Sequence, residues 1–122
     1  MNKKIFLVED DLFLGKLSRK KFELAGLNVQ FFDDGLEVAS QVKKENPAVI
    51  VLDLVMPKKN GFQVLEELKE EISAGKVLII IVSALNSEED KQRVAALGVK
   101  KYFVKSETQL SEIIEYLKKA IS

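Results

Sequence analysis

The groups best able to do chemistry stand at the ends of apolar runs. Asp53 follows Val49-Ile50-Val51-Leu52, and Glu9, Asp10 and Asp11 follow the run from Lys4 to Val8. Ser83-Ala84 follows the aliphatic stretch from Val77 to Val82, and Lys105-Ser106 follows Tyr102-Phe103-Val104. A carboxylate at the edge of a buried run is costly unless something compensates it. Carboxylates brought together raise one another's pKa unless a cation is present. Oxygen ligands without His or Cys suit a hard divalent ion, and Mg²⁺ commonly takes one or two carboxylates with waters and a phosphoryl oxygen. Lys105, a compact point charge, can neutralise part of the remaining charge and hold a phosphoryl oxygen. Ser83 adds a small hydroxyl donor. Such a set makes an aspartate that serves as a nucleophile toward phosphorus.

Taken singly, each member has an ordinary reading. An acidic cluster before a helix complements the helix dipole, and a lone Asp after a strand caps a turn. A Lys after a strand is usually a solvated rim residue, and one Ser says almost nothing. The inference rests on their joint placement, which depends on the elements between them. Lys4 to Val8 reads as a strand, followed by a helix through "DLFLGKLSRKKFELAG" with Phe13, Leu14, Leu17, Lys21 and Leu24 near one stripe and Gly26 as stop. "LNVQFF" is a second strand, ending at the Asp34-Gly35 turn signal. A helix over Leu36 to Lys44 closes before Asn46-Pro47. Val49 to Leu52 is the third strand. Phe62, Leu65, Leu68 and Ile72 then mark one face of a third helix that Gly75 ends. Val77 to Val82 is the fourth strand. "NSEEDKQRVAALG" is a polar fourth helix with an Asn or Ser cap. "KKYFV" is the fifth strand, and Leu110, Ile113, Ile114, Leu117 and Ile121 mark a fifth helix.

Five alternations of continuous aliphatic strand and helix imply an α/β fold, a parallel sheet covered on both faces. Sites in such sheets lie beyond the carboxyl ends of the strands. That rule carries Glu9, Asp10, Asp53, Ser83 and Lys105 to one edge.

Composition narrows the chemistry further. The chain's 122 residues make a single domain by size, and 47% hydrophobic residues suffice for a core. With no cysteine and no histidine, thiol nucleophiles, zinc thiolates, Ser-His triads and an internal phosphohistidine are excluded. Net charge is zero, with 19 basic and 19 acidic residues, which argues against direct nucleic-acid binding. The apolar run after "MNKK" is too short for a signal peptide and no stretch reaches membrane-span length, so the expectation is a cytoplasmic protein without membrane contact.

The pattern resembles the receiver domain of two-component response regulators, the CheY-like family. Val8-Glu9-Asp10 looks like that family's acidic pair after the first strand. "LDLVMPKKNG", Leu52 to Gly61, resembles its phosphoacceptor segment. "IIIVSA" matches the strand ending in a small hydroxyl residue and Ala, and "ALGVKKYFVK", Ala96 to Lys105, resembles the aromatic-bearing strand with its lysine. The resemblance implies a doubly wound (βα)5 flavodoxin-like fold with a five-stranded parallel sheet of order 2-1-3-4-5, and residues 1–122 as one receiver domain. It implies that Asp53 accepts a phosphoryl group from a sensor histidine kinase or histidine phosphotransfer protein. Mg²⁺ would be held by Asp10, Asp53 and the backbone carbonyl of Val55, with Glu9 acting directly or through water. Ser83 would bond the phosphoryl group, Lys105 would pair with it, and Tyr102 would be the aromatic switch. Phosphorylation would draw Ser83 and Tyr102 inward and alter the surface of the fourth helix, fifth strand and fifth helix, where a downstream protein binds. The protein would be a monomer or a phosphorylation-linked homodimer, and its only catalysis would be Mg-dependent self-phosphorylation and self-dephosphorylation.

Four positions depart from the family pattern, in three ways. Ser106 stands where the family usually has a proline, often cis; a cis bond without proline costs about 2.5–4 kcal/mol, which favours a trans bond here. Glu9 replaces the commoner Asp. Val55 and Leu85 are apolar where polar residues help place the hydrolytic water, which implies a slowly decaying phosphoryl-aspartate. An aspartate-nucleophile phosphatase would need a second Asp at Val55. A flavodoxin-like cofactor module would need a phosphate-cradling loop where "EDDLF" stands. A degenerate receiver is opposed by the intact acidic set. The expectation is either a complete single-domain regulator or an excised receiver of a larger protein, with "EYLKKAIS" at the end and no linker visible mildly favouring the former.

Overall fold

A computed structural model describes residues 3–122, so the first two residues of the N-terminal segment and of the expected 1–122 domain lie outside it. Each aliphatic run is a strand: β1 Lys4–Val8, β2 Asn28–Phe32, β3 Val49–Leu52, β4 Leu78–Ser83 and β5 Lys101–Val104. Between and after them lie helices α1 Leu12–Leu24, α2 Val38–Glu45, α3 Gly61–Glu67, α4 Lys69–Ser73, α5 Glu88–Ala96 and α6 Leu110–Ile121. The strands pair in parallel in the order β2-β1-β3-β4-β5.

Alternation along each strand divides the core in two. Phe6, Val8, Ile50, Leu52, Ile79 and Ile81 face α2, α3 and α5, where they meet Val38, Val42, Leu65, Leu68 and Val94. Ile5, Leu7, Val49, Val51 and Ile80 face the other way, toward Phe22 of α1 and Ile113 and Leu117 of α6. β3 is buried on both sides. Register fixes where the strands end: Val8 is level with Phe32 and Leu52, and Ser83 with Val104. Glu9 and Asp53 therefore emerge side by side, with the Asp53 N–H donating to the Val8 carbonyl at 3.1 Å.

Several element boundaries differ from the sequence expectation. α2 starts at Val38 rather than Leu36, because the Asp34 carboxylate accepts the Leu36 N–H at 2.9 Å and holds a turn there. It stops at Asn46, in the left-handed region at φ 50°. The third helix divides at Leu68: its N–H is shared between the carbonyls of Val64 (3.1 Å) and Leu65 (3.2 Å), and α4 beyond it buries none of its residues. The expected fourth and fifth helices are therefore α5 and α6. The stripe expected on α1 is on the wrong side: Phe13 and Leu24 are each 79% exposed, and the face toward the sheet is Gly15, Ser18 and Phe22. Gly15 is buried there because the Phe31 ring occupies the space a side chain would take. No peptide bond is cis among the described residues, so Lys105-Ser106 is trans and opens a short 3-10 turn over Lys105–Glu107. No helix among them is long and apolar enough to cross a membrane.

Candidate functional site

The sheet edge gathers the groups that the sequence separates. Lys105, first residue after β5, places its Nζ 2.6 Å from Glu9 Oε1 and 2.8 Å from Asp53 Oδ2. Glu9 and Asp53 are each 5% exposed, so this bridge is the internal compensation of two nearly buried carboxylates. Backbone groups take the other oxygens: the Asp11 N–H donates to Glu9 Oε2 and the Val55 N–H to Asp53 Oδ1, each at 3.2 Å. Asp10 is exposed, and one carboxylate oxygen from each of Glu9, Asp10 and Asp53 lies within 4.8 Å of the others. Three hard oxygen donors without a nitrogen or sulfur ligand fit a hard divalent cation.

The charges shift one another's titration. Burial pushes the Glu9 carboxyl up from 4.5 to about 7, with repulsion from Asp53 adding to it and the Lys105 and Asp11 hydrogen bonds opposing it. Burial pulls the Lys105 ammonium down, but the Asp53 and Glu9 carboxylates outweigh it and hold it above its ordinary 10.5.

Ser83 ends β4 fully buried, its hydroxyl oxygen accepting the Leu85 N–H at 3.3 Å. Tyr102 is half-buried and donates its hydroxyl to the Leu85 carbonyl at 2.7 Å, which ties β5 to the loop after Ser83. Its phenol titrates above the ordinary 10.0, chiefly through burial. Val55 stands on the rim, 55% exposed. Glu9, Asp10, Asp53 and Lys105 thus share one cluster, with Ser83 at the end of β4 and Tyr102 within β5 beside it.

Residues beyond those expected to do chemistry also shape the site, among them Gly61 at the end of the quoted Leu52 to Gly61 segment. A Cβ on Gly61 would stand 2.4 Å from the Asp53 carbonyl oxygen, so only glycine lets α3 start directly against the end of β3. The Gly61 N–H donates to the Leu54 carbonyl at 2.9 Å, and Asn60 and Gln63 close a capping box around this start. Asn60 and Gln63, three apart, are the signal that could have located it. Thr108 donates its hydroxyl to the Val104 carbonyl at 2.8 Å and fixes the turn after Lys105. The Arg93 guanidinium lies 3.9 Å from the centroid of Phe62, fastening α5 to α3. Of the apolar residues at the end of α5 and just beyond it, Val94 is buried and Leu97 half-buried, whereas Ala95 is exposed.

Known proteins resemble this chain in sequence and in fold. The family model described as the response regulator receiver domain matches residues 5–118. The alkaline phosphatase synthesis transcriptional regulatory protein PhoP of Bacillus subtilis is 33% identical over 107 residues, 86% of this chain and 43% of that protein. The transcriptional regulatory protein CpxR of Klebsiella pneumoniae is 34% identical over 102 residues, 84% of this chain and 42% of that protein. The chain therefore spans about two fifths of the length of the curated relatives it matches. Among solved structures, the receiver domain of the Francisella response regulator 1452 superposes with a TM-score of 0.86 at 28% identity, covering 98% of this chain and 96% of that one. The Vibrio cholerae chemotaxis protein CheY4 superposes equally well, at TM-score 0.86 over 98% of this chain and 99% of that one, and at 24% identity speaks for the fold alone.

Proposed function

The chain belongs to the response regulator receiver domain family of two-component systems, and on that premise we propose that it is a phosphorylation-activated switch with Asp53 as phosphoacceptor. Receivers are signalling domains rather than conventional enzymes. The observation that carries the reading is the pair of nearly buried carboxylates, Glu9 and Asp53, bridged by Lys105 beside exposed Asp10.

In the proposed reaction an Asp53 carboxylate oxygen attacks the phosphorus of a donor phosphohistidine. The new O–P bond forms as the N–P bond breaks, and the electron pair of that bond stays on the imidazole. The donor histidine belongs to a sensor histidine kinase or histidine phosphotransfer protein, since this chain has none. Lys105 is already held against Asp53, so its ammonium meets the transferred oxygens without searching for them. Ser83 supplies a second donor from a fixed strand end. Glu9, Asp10, Asp53 and the Val55 carbonyl would hold Mg²⁺, which when bound screens the charge of carboxylate and phosphoryl group. The exposed apolar side chains of Leu12, Phe13 and Val55 support a protein donor.

The output is a protein contact. Ser83 and Tyr102 both bond to Leu85, so a phosphoryl group that draws on Ser83 pulls on the loop entering α5. A downstream protein then reads the α5–β5–α6 surface, and the receiver acts as a monomer or a phosphorylation-linked homodimer in the cytoplasm. The two compared relatives bear the names of transcriptional regulators. The balanced charge of this chain supports a protein rather than a nucleic-acid partner for the receiver itself.

The test is incubation with Mg²⁺ and acetyl phosphate, followed by intact mass. Addition of one phosphoryl group to wild type and none to Asp53→Ala is expected. Addition that survives in Asp53→Ala would overturn the site, and none in wild type would favour a receiver that signals without phosphorylation.

A further inference from the structure

The inward face of α1 is short of bulk. Gly15 and Ser18 are turned to the sheet while Phe13 and Leu24 are turned to solvent. Between α1, α6 and the sheet lies a cavity of about 100 Å³. Leu7 and Val51 of the sheet, Phe22 of α1 and Leu110 and Ile113 of α6 form apolar walls. Ser18, 5% exposed, places one hydroxyl among them. Glu9, Asp53 and Lys105 close the end at the carboxyl edge of the sheet. Leu14, Thr108 and Leu110, which also line it, are only half-buried, so a guest has a way in.

Native interiors leave few voids larger than a water molecule. An enclosed apolar cavity of roughly 150 Å³ stays dry and takes up benzene; this one holds about 100 Å³, but it is open past Leu14, Thr108 and Leu110, so a ring can extend into its mouth, and it is polar at one end. Its size limits a guest to about one small ring or a short aliphatic chain. Its walls demand an apolar body. Its charged end selects the polar group. The Lys105 ammonium has three donors, of which two go to Glu9 and Asp53, leaving one for a guest oxygen. Ser18 and the two carboxylates can accept a guest proton. An anionic guest would meet two carboxylates, and a cationic one would lose its hydration among aliphatic walls.

We propose that this cavity is a binding site for a small neutral molecule with an apolar body and one hydroxyl, a phenol-like compound. The assignment is independent of phosphoryl acceptance at Asp53, because it rests on the shape and lining of the space.

The experiment titrates phenol into the full chain and follows the methyl resonances of Leu7, Val51 and Ile113 by NMR, with melting temperature in parallel. Phenol is expected to shift these methyls and raise the melting temperature, and benzene to bind about tenfold more weakly, equivalent to roughly 1.4 kcal/mol. Ser18→Leu, which fills the cavity, is expected to abolish the shifts while circular dichroism shows the fold retained. Leu110→Phe narrows the same space from α6 and serves if Ser18→Leu does not fold. Unmoved methyls at saturating phenol, or shifts that persist in the filling variant, would overturn the site. Benzene binding as tightly as phenol would overturn the assignment of the hydroxyl.

Discussion

At the residue scale, Glu9 carries the largest departure from ordinary titration, and its consequence has a sign. Its carboxyl titrates at about 7 in the fold against 4.5 in an unstructured chain. Between those values the folded state binds the extra proton. Stability present below pH 4.5 is therefore lost as pH rises through about 7. The groups facing Glu9 are Asp53, the Lys105 ammonium and the Asp11 N–H, with Asp10 close by. Lys105, held above 10.5, keeps its charge throughout that window and adds no slope of its own. Denaturant unfolding in metal-free buffer is expected to show stability falling as pH rises across the window, and Glu9→Gln to flatten the fall. A slope unchanged in Glu9→Gln would assign the titration elsewhere. Val55 and Leu85 bear on a different rate. Neither can hydrogen-bond an attacking water through its side chain, so the phosphoryl-aspartate is expected to decay slowly, and Val55→Asn to shorten its half-life. A wild-type half-life as short as that of a fast-cycling chemotaxis regulator would count against this. Both residues could be named from sequence, because spacing from Asp53 and Ser83 locates them. The Glu9 shift could not, because it depends on burial that only the packed edge creates.

Elements decide how firmly the acceptor is held. Gly61 is the point of closest approach: a Cβ there would stand 2.4 Å from the Asp53 carbonyl oxygen and 2.7 Å from the Leu54 Cα, both backbone atoms that cannot turn aside. Gly61→Ala is expected to cost about 1–3 kcal/mol by overpacking and to slow phosphoryl uptake from acetyl phosphate. Wild-type stability and rate in that variant would show that the contact relaxes freely. Within the sequence, β1 and β3 were legible because burial on both faces leaves them continuously apolar, and α6 because its apolar stripe meets one core. The inward face of α1 was not, because Phe13, Leu17 and Leu24 face out while Gly15 and Ser18 share the buried face with Phe22, so a count of hydrophobic spacing chooses the wrong side. The break at Leu68 was hidden because the apolar spacing continues through Ile72, which packs half-buried against the core although no residue of α4 is fully buried. α5 shows the limit of apolar counting in another form. Its anchors include Arg93 on Phe62 and Lys91 5.9 Å from the Tyr102 ring centroid, cations that a hydrophobic pattern does not register.

For the whole molecule, parallel strands were legible as continuous aliphatic runs, and their carboxyl edge followed from the general rule for such sheets. The strand order came from family resemblance, since nothing in a run of valines and isoleucines names its neighbour. Once β1 and β3 pair in the observed register, two carboxylates must emerge together, and the fold bears that cost at all times. Lys105 offsets it only in part, being one cation between Glu9 and Asp53 with Asp10 close by. Replacing Asp53 by Asn removes a nearly buried charge and its repulsion of Glu9 while leaving Lys105 paired with Glu9. Asp53→Asn is therefore expected to be more stable than wild type by about 1–2 kcal/mol in chelator, since removing a poorly compensated buried charge can outweigh the ion pair it made. Mg²⁺ acts in the opposite sense on the difference. Binding to the folded state alone raises stability with concentration, so wild type is expected to gain more from added Mg²⁺ than Asp53→Asn, and the gap between them to narrow. Thermal unfolding of both proteins with and without Mg²⁺ measures each part. If Asp53→Asn melts below wild type in chelator, the Lys105 bridge outweighs the repulsion, and the edge is stabilised by its own ion pairs rather than strained by them.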